Sequence, residues 1–372
     1  MAAREYRLLH AFSTFAFGGP EVRFTVIANA LAGRYRHDIV SMDSRFDCAE
    51  LLAPRVSFEK LTPDVRKGGG LSLGNLRRFR QLLKERKPDL LVTYNWGAME
   101  WALANRLGPR LPHLHFEDGF GPEEANGRQI PRRVHFRRHV LPRATVVVPS
   151  TGLERIATET WRLPARNVLR IVNGVDINRF ATANPVAIPG LPDGVPVIGS
   201  VGALRGEKNF ARLIEAFADI EGKPDVHLVL VGEGGERAAL ENLASVRGVA
   251  ERVIFTGRMN APEGALRRFD VFALSSDTEQ MPISLLEAMA AGLPAVSTDV
   301  GDVKAMLAER NRRFVVARED RGALTAALSM LLERGDLRHA LGAANRARVD
   351  AEFSESAMTN RYDTLFRELI GV

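Results

Sequence analysis

The stretch SSDTEQMPISLLEAMAAGLPAVSTDVGD, residues 275–302, decides which fold the sequence predicts. The mostly apolar run 270–275 predicts a strand that leads into a polar loop. Pro282 predicts the first turn of a helix, and Gly292 followed by a proline predicts its end. A second short strand then covers 294–298. This order of strand, loop, helix and strand is typical of parallel α/β sheets, which bind ligands at the carboxyl ends of their strands.

Two carboxylates bracket the loop of this stretch. Glu279 precedes the predicted helix and Glu287 lies inside it, with seven residues between them. Backbone N–H groups at the start of a helix favour an anion. Carboxylate acceptors beside N–H donors suit a ligand that carries both hydroxyls and phosphates, as a nucleotide sugar does.

The alternation of strands and helices continues on both sides of this stretch. A strand at 6–12 precedes a loop with Gly18 and Gly19 and then a helix, and the pattern restarts at Val195. Strands alternating with helices predict parallel, doubly wound sheets in two domains. The glycine pair lacks the G-x-G-x-x-G spacing, which argues against a nicotinamide dehydrogenase.

The composition is that of an ordinary soluble globular protein. Of 372 residues, 45% are hydrophobic and 26% are charged, and this length suggests two domains. The single cysteine, Cys48, excludes an internal disulfide framework and a cysteine-based zinc site. The sequence shows neither a signal-peptide pattern nor an apolar run of membrane-spanning length. We therefore expect a cytoplasmic protein, either free or peripheral on the inner face of the membrane.

The positive charge of the chain allows an anionic partner. The formal net charge is +6, but the sequence has no helix-turn-helix or RNA-binding signature, so we expect no nucleic-acid partner. The stretch 128–139 predicts a basic amphipathic helix. It is either a solvated face or a patch for anionic lipid or a phosphate-bearing acceptor. The arginines of this acceptor or membrane patch are Arg128, Arg132, Arg133, Arg137 and Arg138.

Two further loops follow strands of the second half. Arg205 and Lys208 could neutralise a diphosphate, or form an ordinary surface pair. Gly232 begins a glycine-rich loop that is either a plain turn or a flexible segment against a sugar. No D-x-D pair follows a strand, so we expect neither a metal nor a cofactor. The two cations and the helix N-terminus would then stabilise the leaving diphosphate.

A polar loop in the first half, 113–124, combines two histidines with four carboxylates. Such a loop is either solvated surface or a place for chemistry. The candidates for contact with an acceptor are His113, His115, Glu117 and Asp118, and the sequence leaves the choice among them open.

Four segments, in this order, resemble the retaining glycosyltransferases of family 4. They are 173–176 (NGVD), 202–209 (GALRGEKN), 231–234 (VGEG) and 279–294, which contains the E-x7-E pair and EAMAAGLP. The resemblance covers about residues 169–302, with weaker matches near Gly18 and Ser354. Each motif alone is weak, and the ordered set is specific.

The resemblance implies the GT-B fold, an α/β architecture. Two Rossmann-like domains with doubly wound parallel sheets would face a cleft, and the C-terminal helix would cross back to the N-terminal domain. We place the N-terminal acceptor domain at 1–183 together with 354–372, and the donor domain at 193–353. The segment 181–192, rich in Ala, Pro and Asn, would be the linker.

The resemblance also implies roles in binding a nucleotide-sugar donor. Lys208 would bind the diphosphate, Glu287 the ribose hydroxyls and Glu279 the transferred sugar. The implied donor site comprises Gly18, Gly19, Gly202, Arg205, Lys208, Gly232, Arg258, Met259, Glu279, Gln280, Met281, Pro282, Ile283, Ser284 and Glu287. Among these, the backbone amides of 280–281 would contact the sugar and those of 283–284 the phosphates.

The sequence departs from the family pattern at two places. Ala203 stands where the family has a phosphate-binding arginine, and we infer that Arg205 substitutes for it. Gln280-Met281 replaces the usual Gly-Phe, so we expect this dipeptide to read the identity of the sugar. The catalytic candidates are Glu279, Lys208, Arg205, Asp118 and His115.

The predicted function is transfer of a sugar from a UDP-sugar or GDP-mannose to a glycan or lipid-linked acceptor, with retained anomeric configuration and without a metal. The expected setting is synthesis of cell-envelope polysaccharide. Two alternatives stay open: a nonhydrolysing UDP-sugar epimerase, and a member of the family that binds nucleotide sugars without catalysis.

Overall fold

The computed structural model describes residues 5–65, 71–124, 129–222 and 225–372. The chain divides into two compact units. Unit 1 comprises Met1–Val172 and Ala357–Val372, and unit 2 comprises Asn173–Ser356. The sequence predicted the changes of domain at 183/193 and 353/354, and so placed the NGVD segment at 173–176 in the N-terminal domain. In the structure this segment belongs to unit 2.

Unit 1 contains a sheet of seven parallel strands in its described part, in the order β3-β2-β1-β4-β5-β6-β7. Its elements are β1 (Tyr6–Phe12), α1 (Gly19–Ala30), β2 (Tyr35–Ser41), β3 (Ser57–Leu61), α2 (Leu73–Arg86), β4 (Leu90–Tyr94), α3 (Met99–Arg106), β5 (His113–Phe116), α4 (Pro131–Val140), β6 (Thr145–Val148), α5 (Thr151–Arg155) and β7 (Val168–Arg170).

The central strands of unit 1 are apolar runs buried on both faces, which is why they read as continuous hydrophobic segments. Phe12 and Phe24 lie in the core on one face of the sheet, and Leu9 and Phe79 in the core on the other. All strands run parallel, so their carboxyl ends meet at one edge. The loops that follow β1, β4 and β5 therefore gather there.

Unit 2 repeats the architecture with six parallel strands among its described residues, in the order β10-β9-β8-β11-β12-β13. Its elements are α6 (Ile177–Ala181), β8 (Val197–Val201), α7 (Phe210–Ala218), β9 (His227–Val231), α8 (Arg237–Val246), β10 (Val253–Gly257), α9 (Glu263–Leu266), β11 (Val271–Leu274), α10 (Ile283–Ala290), β12 (Ala295–Thr298), α11 (Val303–Met306), β13 (Val315–Val316), α12 (Arg321–Glu333) and α13 (Gly335–Glu352).

The stretch 275–302 folds as its sequence predicts. It forms the loop after β11, then α10, then β12, and β11 pairs with both β8 and β12. Pro282 is the residue before the helix rather than in its first turn, a difference of one position. Gly292 has φ +77°, the left-handed backbone that ends a helix and that glycine adopts without strain.

The last helix, α14 (Glu355–Ile370), packs against the core of unit 1. Tyr362 and Phe366 are buried there, and the Tyr35 hydroxyl donates to Asp363 Oδ1 at 2.8 Å. Arg34 pairs with the same carboxylate. The predicted return of the C-terminal helix to the N-terminal domain is therefore confirmed.

Candidate functional site

The loop after β11 brings Glu279 into contact with a cation of the loop after β8. Lys208 Nζ lies 2.6 Å from Glu279 Oε1, and the Ser276 hydroxyl donates to the same oxygen at 2.7 Å. The Glu279 side chain is 9% exposed and that of Lys208 is 26% exposed. The two residues are 71 positions apart in the chain, and adjacent parallel strands place them together.

The same two loops are joined by further bonds. Arg212 donates from one guanidinium nitrogen to the Ser275 carbonyl and from another to Asp277 Oδ1, each at 2.7 Å. The Asp277 amide donates to the Glu207 carbonyl at 2.9 Å. These contacts fix the loop that carries Glu279 against the start of α7. They leave Arg205 exposed, with no ion pair to any residue of the described ranges.

Asn173 holds the segment that follows Glu279. Its side-chain amide donates to the Met281 carbonyl at 2.9 Å, and its backbone amide lies 3.3 Å from Met281 Sδ. Met281 is only 6% exposed. The sequence analysis expects the Gln280-Met281 dipeptide to read the sugar, and the structure packs the Met281 side chain inward. Gln280 is half-buried, and its carbonyl accepts from the Asp302 amide at 2.9 Å.

Glu287 lies on α10 beside a mixed group of charges. Burial raises the pKa of its carboxyl to about 7, Arg179 on α6 opposes that shift, and Glu263 adds to it. Arg179 itself pairs with Glu263 at 2.8 Å. Among the residues described, none donates a hydrogen bond to the Glu287 carboxylate. The group is therefore an available acceptor that titrates near neutral pH.

Two glycines of the loop after β9, Gly232 and Gly234, are explained by close backbone packing. A Cβ on Gly232 would overlap the Gly202 carbonyl oxygen, and a Cβ on Gly234 would overlap that of Leu204. The Leu204 amide donates to the Glu233 carbonyl at 3.1 Å, and the Gly232 amide donates to the carbonyl of Gly257 at 2.9 Å. Gly232 therefore lies in a packed turn rather than in a flexible segment.

The remaining predicted donor residues of unit 2 lie around these loops. Pro282 is buried, while Ile283 and Ser284 form the half-buried first turn of α10, which has no side-chain cap. Arg258 is exposed and Met259 half-buried, directly after the end of β10. All of them follow the carboxyl ends of strands or begin the next helix.

Unit 1 places Gly18 and Gly19 at the start of α1, directly after the loop from β1. Gly18 is the extended residue before the helix, and Gly19 is its exposed first residue. A Cβ on Gly19 would meet no atom within 4 Å, whereas one on Gly18 would meet the Glu21 carboxylate. The backbone at Gly19 is therefore open to approach.

The histidines of the 113–124 loop point into unit 1. His113 is 9% and His115 0% exposed, and the Thr93 hydroxyl lies 2.8 Å from a ring nitrogen of each. Burial lowers the pKa of His113 to about 3. Glu117 is fully buried, 2.9 Å from Arg137 Nε and 3.6 Å from His115 Nε2. His115, a catalytic candidate from sequence, is thus in the core because it belongs to β5.

Asp118 is the candidate of this loop that reaches the carboxyl edge of the sheet. Its amide donates to Asn95 Oδ1 at 2.7 Å, which joins the loops after β4 and β5. Its carboxylate pairs with both terminal nitrogens of Arg23, whose guanidinium also lies 4.9 Å from the Phe116 ring. The Asp118 side chain is 11% exposed.

Comparison with known proteins identifies the family. A model described as "Glycosyl transferases group 1" matches residues 185–348, and one described as "Glycosyl transferase 4-like domain" matches residues 18–174. A GDP-mannose-dependent alpha-mannosyltransferase of Mycolicibacterium smegmatis is 30% identical over 278 residues, 72% of this chain and 68% of that protein. The chain belongs to the group 1, family 4-type glycosyltransferases.

The lipopolysaccharide core biosynthesis glycosyltransferase LpsD of Rhizobium meliloti is similar to this chain over nearly its whole length. It is 26% identical over 362 residues, 94% of this chain and 95% of that protein. Among solved structures, sucrose-phosphate synthase from Thermosynechococcus elongatus has a TM-score of 0.83 at 20% identity, covering 99% of this chain and 100% of its own. Anabaena HepE in complex with UDP and glucose has a TM-score of 0.82 at 19% identity, covering 98% and 100%. These similarities establish the GT-B fold.

The basic helix α4 of this glycosyltransferase is present as predicted, but its arginines are less exposed than a surface patch requires. Arg137 is fully buried, paired with Glu117 and 4.7 Å from the Trp161 ring. Arg133 is 12% exposed and pairs with Glu123 at 2.6 Å and with Glu124 at 2.9 Å. The prediction that these two arginines belong to a surface patch is wrong, because carboxylates of the same unit bind them.

The other arginines of that predicted patch are more scattered. Arg138 is half-buried and donates to the Thr160 carbonyl at 2.8 Å, and Arg132 is exposed. Arg128 lies outside the described residues. The described part of α4 therefore presents no continuous row of exposed arginines.

Metal-binding and membrane-spanning features are both missing from the described part of the glycosyltransferase. Within the described ranges, no three His, Cys, Asp or Glu side chains cluster so that they could hold a metal ion. None of the helices in these ranges combines the length and apolar character that a membrane span requires.

Several residues of the site carry no recognisable signal in the sequence. Ser276, Arg179 and Glu263 received no predicted role because their partners are identified only by the fold. Gly301, with φ +53°, packs so closely on the Glu279 and Gln280 carbonyls that a Cβ there would overlap them. The glycine itself was the available signal, since glycines in such loops often mark close backbone approach.

Proposed function

We propose that this glycosyltransferase moves a sugar from a nucleotide-diphosphate sugar to a glycan or lipid-linked acceptor, with retention of the anomeric configuration and without a metal ion. The observation that carries the proposal is the Lys208–Glu279 pair at the carboxyl ends of neighbouring strands. It joins a cation suited to phosphate with a carboxylate suited to sugar hydroxyls. Glu287 and the uncapped start of α10 lie on the next helix.

The cations of unit 2 would bind the diphosphate of the donor. Lys208 and the exposed Arg205 would neutralise its charge, together with the backbone amides of Ile283 and Ser284. Glu287, which receives no hydrogen bond in the described structure, would accept from ribose hydroxyls. Glu279 would contact the transferred sugar from its bonded position beside Lys208. These roles follow the family motifs residue by residue.

The transfer step would break the bond between the sugar C1 and the diphosphate oxygen. The acceptor oxygen would form the new bond to C1 on the same face, and its proton would pass to the departing phosphate oxygen. Because the leaving group takes the proton, no strong enzymic base is needed. Stabilisation of the developing negative charge by Lys208 and Arg205 would supply most of the acceleration.

The acceptor would be bound by unit 1. Asp118 is the polar side chain of the 113–124 loop that we assign to acceptor contact, because its three rivals in that loop are buried. The name of the relative LpsD, a lipopolysaccharide core biosynthesis glycosyltransferase, supports a role in building cell-envelope polysaccharide. UDP is named with HepE and GDP-mannose with the Mycolicibacterium relative, so both donor classes are candidates.

A transfer assay with radiolabelled donors tests this proposal. Lys208→Ala is expected to lower turnover about 10²-fold or more, since it removes a charge that binds the leaving group. Lys304→Ala is the matched control, because this exposed lysine of unit 2 pairs only with Asp299 at 3.5 Å in the described structure. Equal turnover of the two variants would contradict the assignment.

Two further readouts address the stereochemistry and the metal. NMR of the product is expected to show the anomeric configuration of the donor, and inversion would rule out the proposed mechanism. Turnover is expected to survive a chelator. Loss of turnover that returns when Mg²⁺ is added would contradict the metal-independent step.

A further inference from the structure

The net charge of the chain is divided unequally between its two units. Unit 1 carries 30 Lys and Arg against 19 Asp and Glu, whereas unit 2 carries 21 against 26. The excess positive charge of the whole protein therefore resides in unit 1. A strongly basic unit points to an anionic partner of its own.

Helix α2 presents a large share of that charge as one row. Leu73, Arg77, Arg80 and Lys84 follow the spacing of a single helix face, beside the buried face that carries Phe79. Arg77 and Lys84 are exposed and Arg80 is half-buried. No residue of the described ranges forms an ion pair with these three cations. They are thus available to an external anion, unlike Arg133 and Arg137 of α4.

Exposed leucines accompany this row. Leu73 is 71% exposed and Leu71, just before the helix, is 54% exposed. Leu107, at the end of α3, is 56% exposed, and the Arg80 side chain lies against the adjacent Gly108. Large apolar side chains beside free cations fit the boundary between lipid head groups and acyl chains. An acidic protein or a nucleic acid would use the cations but would leave these leucines in water.

The N-terminal end of α2, where Leu71 and Leu73 lie, is at the edge of the sheet where the loop with Asp118 is found. The Ser72 amide and the Asn75 side chain both donate to Glu100 at the start of α3, at 2.7 and 2.9 Å. Helix α3 begins directly after the loop from β4, whose Asn95 is bonded to the Asp118 amide. Within unit 1, a surface that met Leu71 and Leu73 would therefore lie at the carboxyl edge of the sheet.

We infer that Leu71, Leu107 and the α2 row Leu73, Arg77, Arg80 and Lys84 dock this protein onto an anionic lipid bilayer. We call this set the α2 lipid face. The cations would contact phosphate head groups and the leucines would enter the boundary beneath them. The inference rests on the proposed function only for its use, which is to bring a membrane-bound acceptor to unit 1.

Vesicle sedimentation of the full chain, without donor or acceptor, tests the inference. The wild-type protein is expected to bind phosphatidylcholine vesicles that contain phosphatidylglycerol, and to bind pure phosphatidylcholine far less. For the variant Arg77→Gln, Arg80→Gln, Lys84→Gln, the partition coefficient onto these vesicles is expected to fall about tenfold or more. The reason is that each cation near an anionic membrane surface contributes to the binding free energy. For the double variant Leu71→Ser, Leu73→Ser, the same partition coefficient is expected to fall several-fold.

A matched control separates this face from total charge. Arg132→Gln, Arg138→Gln, Arg143→Gln removes the same charge from the α4 side of unit 1 and is expected to bind vesicles like the wild type. Equal loss in both triple variants, or wild-type binding by the α2 variant, would overturn the inference. Equal binding of the wild type to neutral vesicles would also overturn it.

A second outcome assigns the face to another partner. Self-association of the wild type that the α2 variant abolishes, with no vesicle binding, would mean that a second copy covers the face, and it would overturn the lipid inference. Because nucleotide binding and sugar transfer do not enter the vesicle assay, its failure would leave the proposed function standing. Melting temperatures like that of the wild type would establish that the variants are folded.

Discussion

Glu287 is a half-buried glutamate, and no residue of the described ranges forms an ion pair with its carboxylate. Burial raises its pKa to about 7, while Arg179 opposes the shift. The folded-state pKa therefore lies above the ordinary value, so this group lowers stability progressively as the pH rises from that ordinary value to about 7, and by a constant amount above it. A ribose diol that donates to the carboxylate favours the ionised form. If Glu287 binds the ribose as proposed, donor binding and proton release would be linked at this residue.

We predict that affinity for the nucleotide rises with pH between about 6 and 8. The reason is that protonated Glu287 must lose its proton before it can accept from two ribose hydroxyls. Calorimetric titration of UDP or GDP across this range measures the effect. Glu287→Gln is the control, since the nucleotide's own phosphate titration is common to both proteins. Equal pH dependence in the two proteins would contradict the role given to Glu287.

Asp38 is a second buried carboxyl, and it lies away from the candidate site. It is 0% exposed in β2, and neither carboxylate oxygen has a hydrogen-bond partner in the described structure. Burial raises its pKa, and nearby Arg7 and Arg86 oppose that shift. An acid whose pKa is raised by folding destabilises the protein increasingly as the pH rises from the unfolded-state value to the folded-state value, and by a constant amount above it.

We predict that Asp38→Asn stabilises the protein by about 1 kcal/mol or more at pH values above that folded-state pKa. The gain should shrink as the pH falls and the aspartic acid becomes neutral. Thermal unfolding across a range of pH measures this. Asp64→Asn makes the same charge change at a side chain that is 95% exposed, and it should have little effect. A gain independent of pH would show that charge burial is not the cause.

At the scale of elements, the loop after β11 is held by residues that do not belong to it. The Asn173 side chain binds the Met281 carbonyl, and the Asp302 amide binds the Gln280 carbonyl. Gly301 allows the close approach that the second bond requires. With their carbonyls occupied in this way, residues 280–281 have a fixed backbone, which sets the direction of their amides.

We predict that Asn173→Asp raises the donor KM about tenfold, because a carboxylate of the same shape cannot donate to the Met281 carbonyl. Asn173→Ala should do the same and also lower stability by about 1–2 kcal/mol. Steady-state kinetics at varied donor concentration measures the effect on KM and kcat separately. Asn178→Ala, an exposed asparagine on neighbouring α6, is the control. A donor KM like that of the wild type in Asn173→Asp would show that the bond does not position the loop.

The sequence predicts some elements of the molecule well because their signals are local. Pro282 and Gly292 mark the ends of α10 within a few residues, and the spacing of Glu279 and Glu287 is visible directly. The order of the four family segments likewise needs no contact information. Such signals come from backbone conformation, which neighbouring residues largely determine.

The features that the sequence did not predict depend on partners far along the chain. Arg137 is buried because Glu117, on a different element, neutralises it, and the number of arginines in α4 carries no sign of that pair. Met281 turns inward because Asn173 binds it. His115 is in the core because β5 lies between two other strands. In each case the tertiary partner, rather than local pattern, decides the position of the side chain.

The whole molecule combines a basic unit that contains Asp118 with an acidic unit that contains Lys208 and Glu279. This division fits a protein whose two halves recognise different things. Unit 2 would recognise a small donor through a few placed cations despite its negative net charge. Unit 1 would meet a larger anionic partner over the α2 lipid face. Under the proposed function, sugar transfer would require the donor site of unit 2.

The most direct test of the donor site is thermal unfolding of the full chain with UDP, GDP, ADP or TDP. A nucleotide at a hundred times its Kd stabilises by about 2.7 kcal/mol, which corresponds to a rise of about 3 °C or more in the melting temperature of a chain of this length. We predict such a rise for at least one nucleotide with the wild type, and its loss in Lys208→Ala and Glu287→Ala but not in Lys304→Ala. No shift with any of the four, or equal shifts in all variants, would contradict the proposed donor site.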